Sequence, residues 1–177
     1  MRLQAGAEVP PIPMTDLSGE PIDVASGRPL WLGLFRYAAC PFCSMRVHEL
    51  ISRQAEIEAS GVDLVVVFPS PPKRIAKYVQ RFNPSFRLAS DPEESVFRAF
   101  GAEASWMAEV RMLGRVPTVV KALTKFPNNP LVTSGTFNRL PSEYLIRDGV
   151  VLDAFYGRAL DDGPDIDMML AKVAQAA

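Results

Sequence analysis

The stretch from Leu30 to Phe68 constrains the fold more than any other part of the chain. Leu30 to Phe35 is a nearly continuous apolar run bounded by Pro29 and Arg36, which reads as a strand buried on both faces. Pro41 to Ala59 then has helical spacing: Cys43, Val47, Leu50, Ile51 and Ile57 fall on one arc, with Gln54 the polar intruder. Gly61 suits the left-handed residue that closes a helix. Val62 to Phe68 is short and rich in β-branched residues, as a second buried strand should be. Strand, helix and strand at this spacing define a right-handed βαβ unit with parallel strands.

The rest of the chain builds on that unit. The start, with Pro10, Pro11 and Pro13, is extended, and Leu17-Ser18-Gly19-Glu20-Pro21 carries turn chemistry, so a short hairpin is expected there. A helix over Lys73–Phe82 stops at Asn83-Pro84, and Phe86–Ala89 is a short strand. Ser90-Asp91-Pro92-Glu93 opens a helix running to about Phe100. Trp106–Phe126, interrupted by Pro117, is read as two short amphipathic helices, and Asn128–Asn138 as a loop. Ser142–Arg147 and Val150–Tyr156 form a hairpin around Asp148-Gly149, and Asp161–Pro164 caps a last helix ending near Ala174.

Composition narrows the function classes. The 177 residues are 48% hydrophobic, enough for a sizeable core, and Lys plus Arg (19) nearly balances Asp plus Glu (20). Such neutrality offers no footprint for nucleic acid or an anionic membrane surface. No stretch approaches the roughly 18–20 apolar residues of a membrane span, and no secretory h-region is visible at the start. The expectation is a soluble, cytoplasmic, single domain over residues 1–177, with 102–139 as an inserted helical segment.

The two cysteines, Cys40 and Cys43, are too close to frame a fold by themselves. Zinc would require two further good ligands, and His48 is the only histidine, so no metal and no cofactor are expected within one chain. A Cys-x-x-Cys at a strand-to-helix junction reads instead as a redox pair. Pro41 suits the first helical position, which puts Cys40 at the positive end of the helix. There the thiol pKa falls from about 8.5 towards neutrality or below. Cys43 lies under one turn away on the core-facing arc, as a shielded resolving partner would. His48, two turns further on, reads as a surface or helix-packing residue. Arg36 and Tyr37 either steady the thiolate and shape its rim or are solvated at the strand end.

At Ala39-Cys40-Pro41-Phe42-Cys43 the chain resembles the thioredoxin superfamily, with a glutaredoxin-like Pro-aromatic pair between the cysteines. The likeness is strongest to the peroxiredoxin-like AhpC/TSA branch. It is carried by Asp16-Leu17-Ser18-Gly19-Glu20-Pro21, by Ser90-Asp91-Pro92 before a helix, and by Leu145-Ile146-Arg147-Asp148-Gly149. The resemblance implies a thioredoxin-like α/β fold: a central mixed β-sheet flanked by helices, with an N-terminal extension and a helical insertion before a cis-proline loop at Leu140-Pro141. It implies Cys40 and Cys43 as catalytic residues, with Arg36, Tyr37, Pro41, Phe42, Leu140 and Pro141 facing substrate.

The chain departs from its relatives' patterns in several places. The Pro-x-x-x-Thr/Ser-x-x-Cys motif of typical peroxiredoxins has Gly33 and Tyr37 at its proline and hydroxyl positions, and Pro141 stands where those enzymes carry an arginine. Leu34 replaces the buried acid of many thioredoxins, Ala39 their tryptophan, and Tyr156-Gly157-Arg158 stands near the place of the glutaredoxin glycine pair. The expected reaction is thiol–disulfide exchange, with Cys40 attacking a substrate disulfide and Cys43 resolving the mixed species; the expected substrate is a disulfide-containing protein or a small thiol or peroxide. The alternatives are a thiol peroxidase passing through a Cys40 sulfenic acid and a non-enzymatic redox-sensing module. A cellular thiol reductant is the expected partner in turnover. Trp106–Phe126 is read as a helical pair packed on the domain, with a lid, a homodimer face or a docking surface as alternatives.

Overall fold

The computed structural model describes residues 2–128 and 132–176; residues 1 and 177, and residues 129–131 of the expected loop, lie outside it. Five strands, β1 (Leu30–Leu34), β2 (Asp63–Phe68), β3 (Arg87–Ser90), β4 (Ser142–Arg147) and β5 (Val150–Tyr156), form one sheet in the order β3-β2-β1-β4-β5. β1–β2 and β2–β3 are parallel, whereas β1–β4 and β4–β5 are antiparallel. The sheet is therefore mixed, with its βαβ unit where the apolar runs place it.

Period-two alternation sends the central strands' side chains to two cores. On one face Trp31, Leu64, Val66, Phe68 and Leu145 pack with Val47 and Leu50 of α1 (Pro41–Ser52), and with residues of α3 (Pro72–Tyr78) and α7 (Ile166–Ala176). On the other, Leu30, Leu32, Leu34, Val65, Val67, Tyr144 and Ile146 meet the N-terminal segment and α4 (Ser95–Ala99). Both faces of β1 and β2 are covered, which is why these strands are continuously apolar.

Several element ends differ from the sequence expectation. The helix expected over Pro41–Ala59 is two: α1 ends at Ser52, Arg53 leaves the helical region at φ −114°, and α2 (Gln54–Ala59) follows. The segment expected as Lys73–Phe82 is α3 followed by one 3-10 turn, Gln80–Phe82. In place of two regular N-terminal strands there is an isolated bridge, Thr15 to Pro21, closed over Asp16, whose Oδ1 accepts from the Ser18 and Glu20 amides. The last helix is capped one residue beyond the expected stretch, by Asp165 Oδ1 accepting from the Met168 amide at 2.9 Å. α5 (Trp106–Leu113) and α6 (Val116–Lys125) are the two expected short helices, and Pro117 lies in the first turn of α6, where its missing amide hydrogen costs nothing.

The Leu140–Pro141 bond is a correction: among the described residues there is no cis peptide bond. Trans is the intrinsic preference of X-Pro bonds, and a proline just ahead of β4 interrupts no ladder donor. Pro141 packs instead against Gly157, whose amide donates to the Pro141 carbonyl at 2.9 Å and where a Cβ would stand 2.9 Å from Pro141 Cγ.

The helix start at Ser90-Asp91 is built with an offset. Pro92 to Glu94 form a turn, and Asp91 reaches across it: Oδ1 accepts from the Ser95 amide at 3.0 Å and Oδ2 from the Val96 amide at 2.8 Å. Because α4 has only five residues, these caps hold a large share of its hydrogen bonding. Asp91→Ala should destabilise the fold by about 1–2 kcal/mol in urea unfolding; a change of a few tenths would show that α4 is held by packing alone.

No described helix is long and apolar enough to cross a membrane.

Candidate active site

The site forms where β1 ends. The amide of Phe35 still donates to Val67 O, then Arg36 to Ala39 turn the chain, with the Cys40 amide donating to Tyr37 O at 3.0 Å and the Ala38 amide to Ser70 Oγ at 3.0 Å. Cys40 is extended at φ −67° and ψ 122° and caps α1, its Sγ accepting from the Cys43 amide at 3.5 Å. Both cysteines are free thiols and buried, at 0% and 4% exposure. Burial therefore does not separate the two sulfurs; their electrostatics do.

Burial opposes ionisation of Cys40. The hydrogen bond with the Cys43 thiol, the Arg36 charge and the amides of Cys43 and Phe42 outweigh it, bringing the Cys40 thiol down to about 6. Burial and the neighbouring Cys40 push Cys43 well above the ordinary thiol value. At neutral pH the pair thus holds one thiolate and one thiol, an arrangement suited to a nucleophile and a proton-bearing partner.

The cation is Arg36, whose side chain is 2% exposed. Its Nη1 lies 3.7 Å from Cys40 Sγ, Nε and Nη2 donate to Phe137 O, and Nη2 donates to Glu109 Oε1 at 2.8 Å. Of the two sequence alternatives for Arg36, solvation at the strand end is thereby ruled out. Tyr37 stacks on Phe137 with centroids 6.3 Å apart, and burial, with the Cys40 charge, pushes its phenol up. The loop that carries Phe137 is itself pinned. Arg74 donates to Thr133 O and Ser134 Oγ, and Glu94 accepts from the Thr136 hydroxyl and pairs with Arg139.

Phe42, between the cysteines, packs against a separate cluster of Ala108, Met112, Leu140, Ala159 and Leu160. Helices α5 and α6 therefore rest on the cysteine motif, with Leu140 among the residues of the shared cluster. Pro41 opens α1 as expected, whereas Pro141 makes its packing contact with Gly157. His48 is a helix-packing residue, its ring 4.3 Å from that of Phe82 and 4.7 Å from that of Phe126; burial and the charges of Lys125 and Arg81 lower its pKa.

Sequence reasoning missed three groups. Glu109 and the Phe137 carbonyl hold Arg36; the one available signal was that Glu109 is the only acid between Trp106 and Phe126. The third is Glu143, 1% exposed on β4, which accepts from Trp31 Nε1 at 2.8 Å and from Arg46 Nε at 2.8 Å.

The arrangement is that of a thioredoxin-like enzyme: a thiol-bearing helix start at the end of a central parallel strand, in a mixed sheet with helices on both faces. Comparison with known proteins identifies the branch. Residues 5–151 match the AhpC/TSA family. Peroxiredoxin Bcp of Escherichia coli K12 is 24% identical over 111 residues, 60% of this chain and 71% of that protein. The crystal structure of peroxidoxin BcpB from Mycobacterium tuberculosis superposes with a TM-score of 0.70 at 18% identity, covering 98% of each chain. A peroxiredoxin-like protein from Aquifex aeolicus gives 0.71 at 16% identity, covering 100% of this chain and 90% of that one. The chain belongs to the AhpC/TSA family, as a peroxiredoxin-like antioxidant enzyme with a thioredoxin-like fold.

Proposed function

We propose that this enzyme reduces hydroperoxides at Cys40. The observation that carries the reading is the buried Arg36 guanidinium held 3.7 Å from a sulfur already acidified at a helix start. Family membership favours peroxide reduction over disulfide exchange as the primary reaction, and Arg36 supplies a cation that the sequence has lost at Pro141. The thiolate attacks one peroxide oxygen, the O–O bond breaks, and the other oxygen leaves with a proton as water or alcohol. Cys40 is left as a sulfenic acid. Cys43 then displaces its hydroxyl as water, giving a Cys40–Cys43 disulfide. Reduction of that disulfide by a cellular dithiol, or by two thiols, closes the cycle, so thiol–disulfide exchange is its second half.

Arg36 and Tyr37 have distinct parts. A fixed cation beside the reacting sulfur stabilises the thiolate and the charge developing on the departing oxygen without reorganising at the moment of reaction. Tyr37 stands at the hydroxyl position of the peroxiredoxin motif, and its raised pKa keeps the phenol protonated as a donor.

Stopped-flow oxidation of the reduced protein by hydrogen peroxide and an organic hydroperoxide tests the reading. The second-order rate should exceed that of a free thiol by at least ~10²-fold, the worth of one well-placed donor. It should rise with pH through about 6 and level off above, because the thiolate is the reactive form and its fraction saturates there. A rate matching free cysteine would refute the peroxidase.

A further inference from the structure

Arg36 reaches Cys40 from a position it cannot hold by backbone geometry alone. Its residue sits in the turn after β1, and its long side chain has many rotamers, so the placement of Nη1 3.7 Å from the sulfur depends on what holds the rest of the guanidinium. Two acceptors fix the other edge of the guanidinium: Phe137 O and Glu109 Oε1. Glu109 is the carboxylate that ion-pairs with this otherwise buried cation. It lies on α5, whose Ala108 and Met112 are buried in the cluster that packs on Phe42. The carboxylate is therefore carried by a helix docked on the cysteine motif.

We infer that Glu109 is a positioning residue for the reaction, acting through Arg36 to keep the guanidinium against Cys40. The segment that carries α5 and Phe137 is then part of the active site, acting on the sulfur through Arg36. This builds on the peroxide reading, which gives the thiolate its purpose.

Charge and tether act in opposite directions, which makes the inference testable. Removing the Glu109 charge alone takes an anion from the neighbourhood of another anion and lowers the Cys40 pKa slightly. Releasing Arg36 takes away the cation in direct contact with the sulfur and raises it. The reduced full-length protein is titrated by the ultraviolet absorbance of its thiolate; Cys43, pushed far up, does not interfere near neutrality. With Glu109→Ala, the midpoint should rise by about 1 pH unit, and peroxide oxidation near the parent midpoint should slow several-fold. Glu109→Gln keeps an oxygen acceptor for Arg36 without the charge, and its midpoint should stay at or just below the parent value.

Circular dichroism confirms that each variant is folded, as expected for substitutions at a partly exposed helical position. A Glu109→Ala midpoint at or below the parent's overturns the inference, and so does a Glu109→Gln midpoint raised as far as that of Glu109→Ala. Titration consumes no peroxide. A protein that shows these shifts but reduces no peroxide would count against the peroxidase reading alone, and an unshifted midpoint in an active peroxidase against Glu109 alone.

Discussion

Cys40→Ser should abolish peroxide turnover, lowering it by ~10³-fold or more. Removing an activated nucleophile leaves only the groups arranged around it. A serine hydroxyl at the same helix start stays protonated, and Arg36 has no thiolate to stabilise. Cys43→Ser should behave differently. Cys40 would still be oxidised once per chain at near the parental rate, because the first step does not consume the Cys43 sulfur and a serine hydroxyl can donate to the Cys40 thiolate in place of the thiol. Turnover would then stop at the sulfenic acid, seen as the addition of one oxygen by mass spectrometry. Peroxide turnover retained in Cys40→Ser would remove the proposed mechanism, and rapid multiple turnover in Cys43→Ser would remove the resolving role.

The largest effect on stability is expected at the Arg46–Glu143 ion pair. Arg46→Ala should destabilise the protein by about 3–5 kcal/mol, the usual cost of breaking a buried ion pair by removing one partner. Glu143 is buried on β4, and Arg46 meets it with Nε and Nη2 while also donating to Pro164 O at 2.9 Å. Without Arg46 the carboxylate keeps, among the described residues, the indole N–H of Trp31, and its buried charge loses the cation that compensates it. The pair also ties α1, three residues beyond Cys43, to the strand beside β1. Urea unfolding of Arg46→Ala, Glu143→Gln and the double variant measures the cost and the coupling. A loss under about 1 kcal/mol for Arg46→Ala would mean that water reaches the carboxylate and solvates it.

How much of this was legible depended on the range over which each feature is determined. The βαβ unit was readable because strands covered on both faces must be apolar throughout, as Leu30–Leu34 and Asp63–Phe68 nearly are. The last hairpin was readable to the residue because a two-residue turn demands positive φ at both positions; Asp148 and Gly149 take 51° and 75°. The break at Arg53 was not, since neither glycine nor proline marks it and tertiary packing decides where α1 ends. The cis form expected at Pro141 came from likeness, and local geometry took the default instead. In the site, the cysteines and the helix start were legible as local chemistry. The partners of Arg36 were not, because Glu109 and Phe137 lie 73 and 101 residues further along the chain. Glu143 looked like an ordinary polar residue on a strand for the same reason: its partners come from β1 and α1.

Those separations bear on when the enzyme becomes chemically competent during folding. Closing loops of such length is entropically slow compared with forming a local turn of helix. The cap at Cys40 can therefore assemble early, whereas the cation beside it is locked only once the distant Glu109 and Phe137 have collapsed onto it. A chain emerging from synthesis, or one caught partly refolded, carries a thiol less acidic than that of the folded enzyme and is correspondingly slower to react with oxidants. Full reactivity then arrives with the last tertiary contacts, when a partner for the oxidised sulfur is already in place.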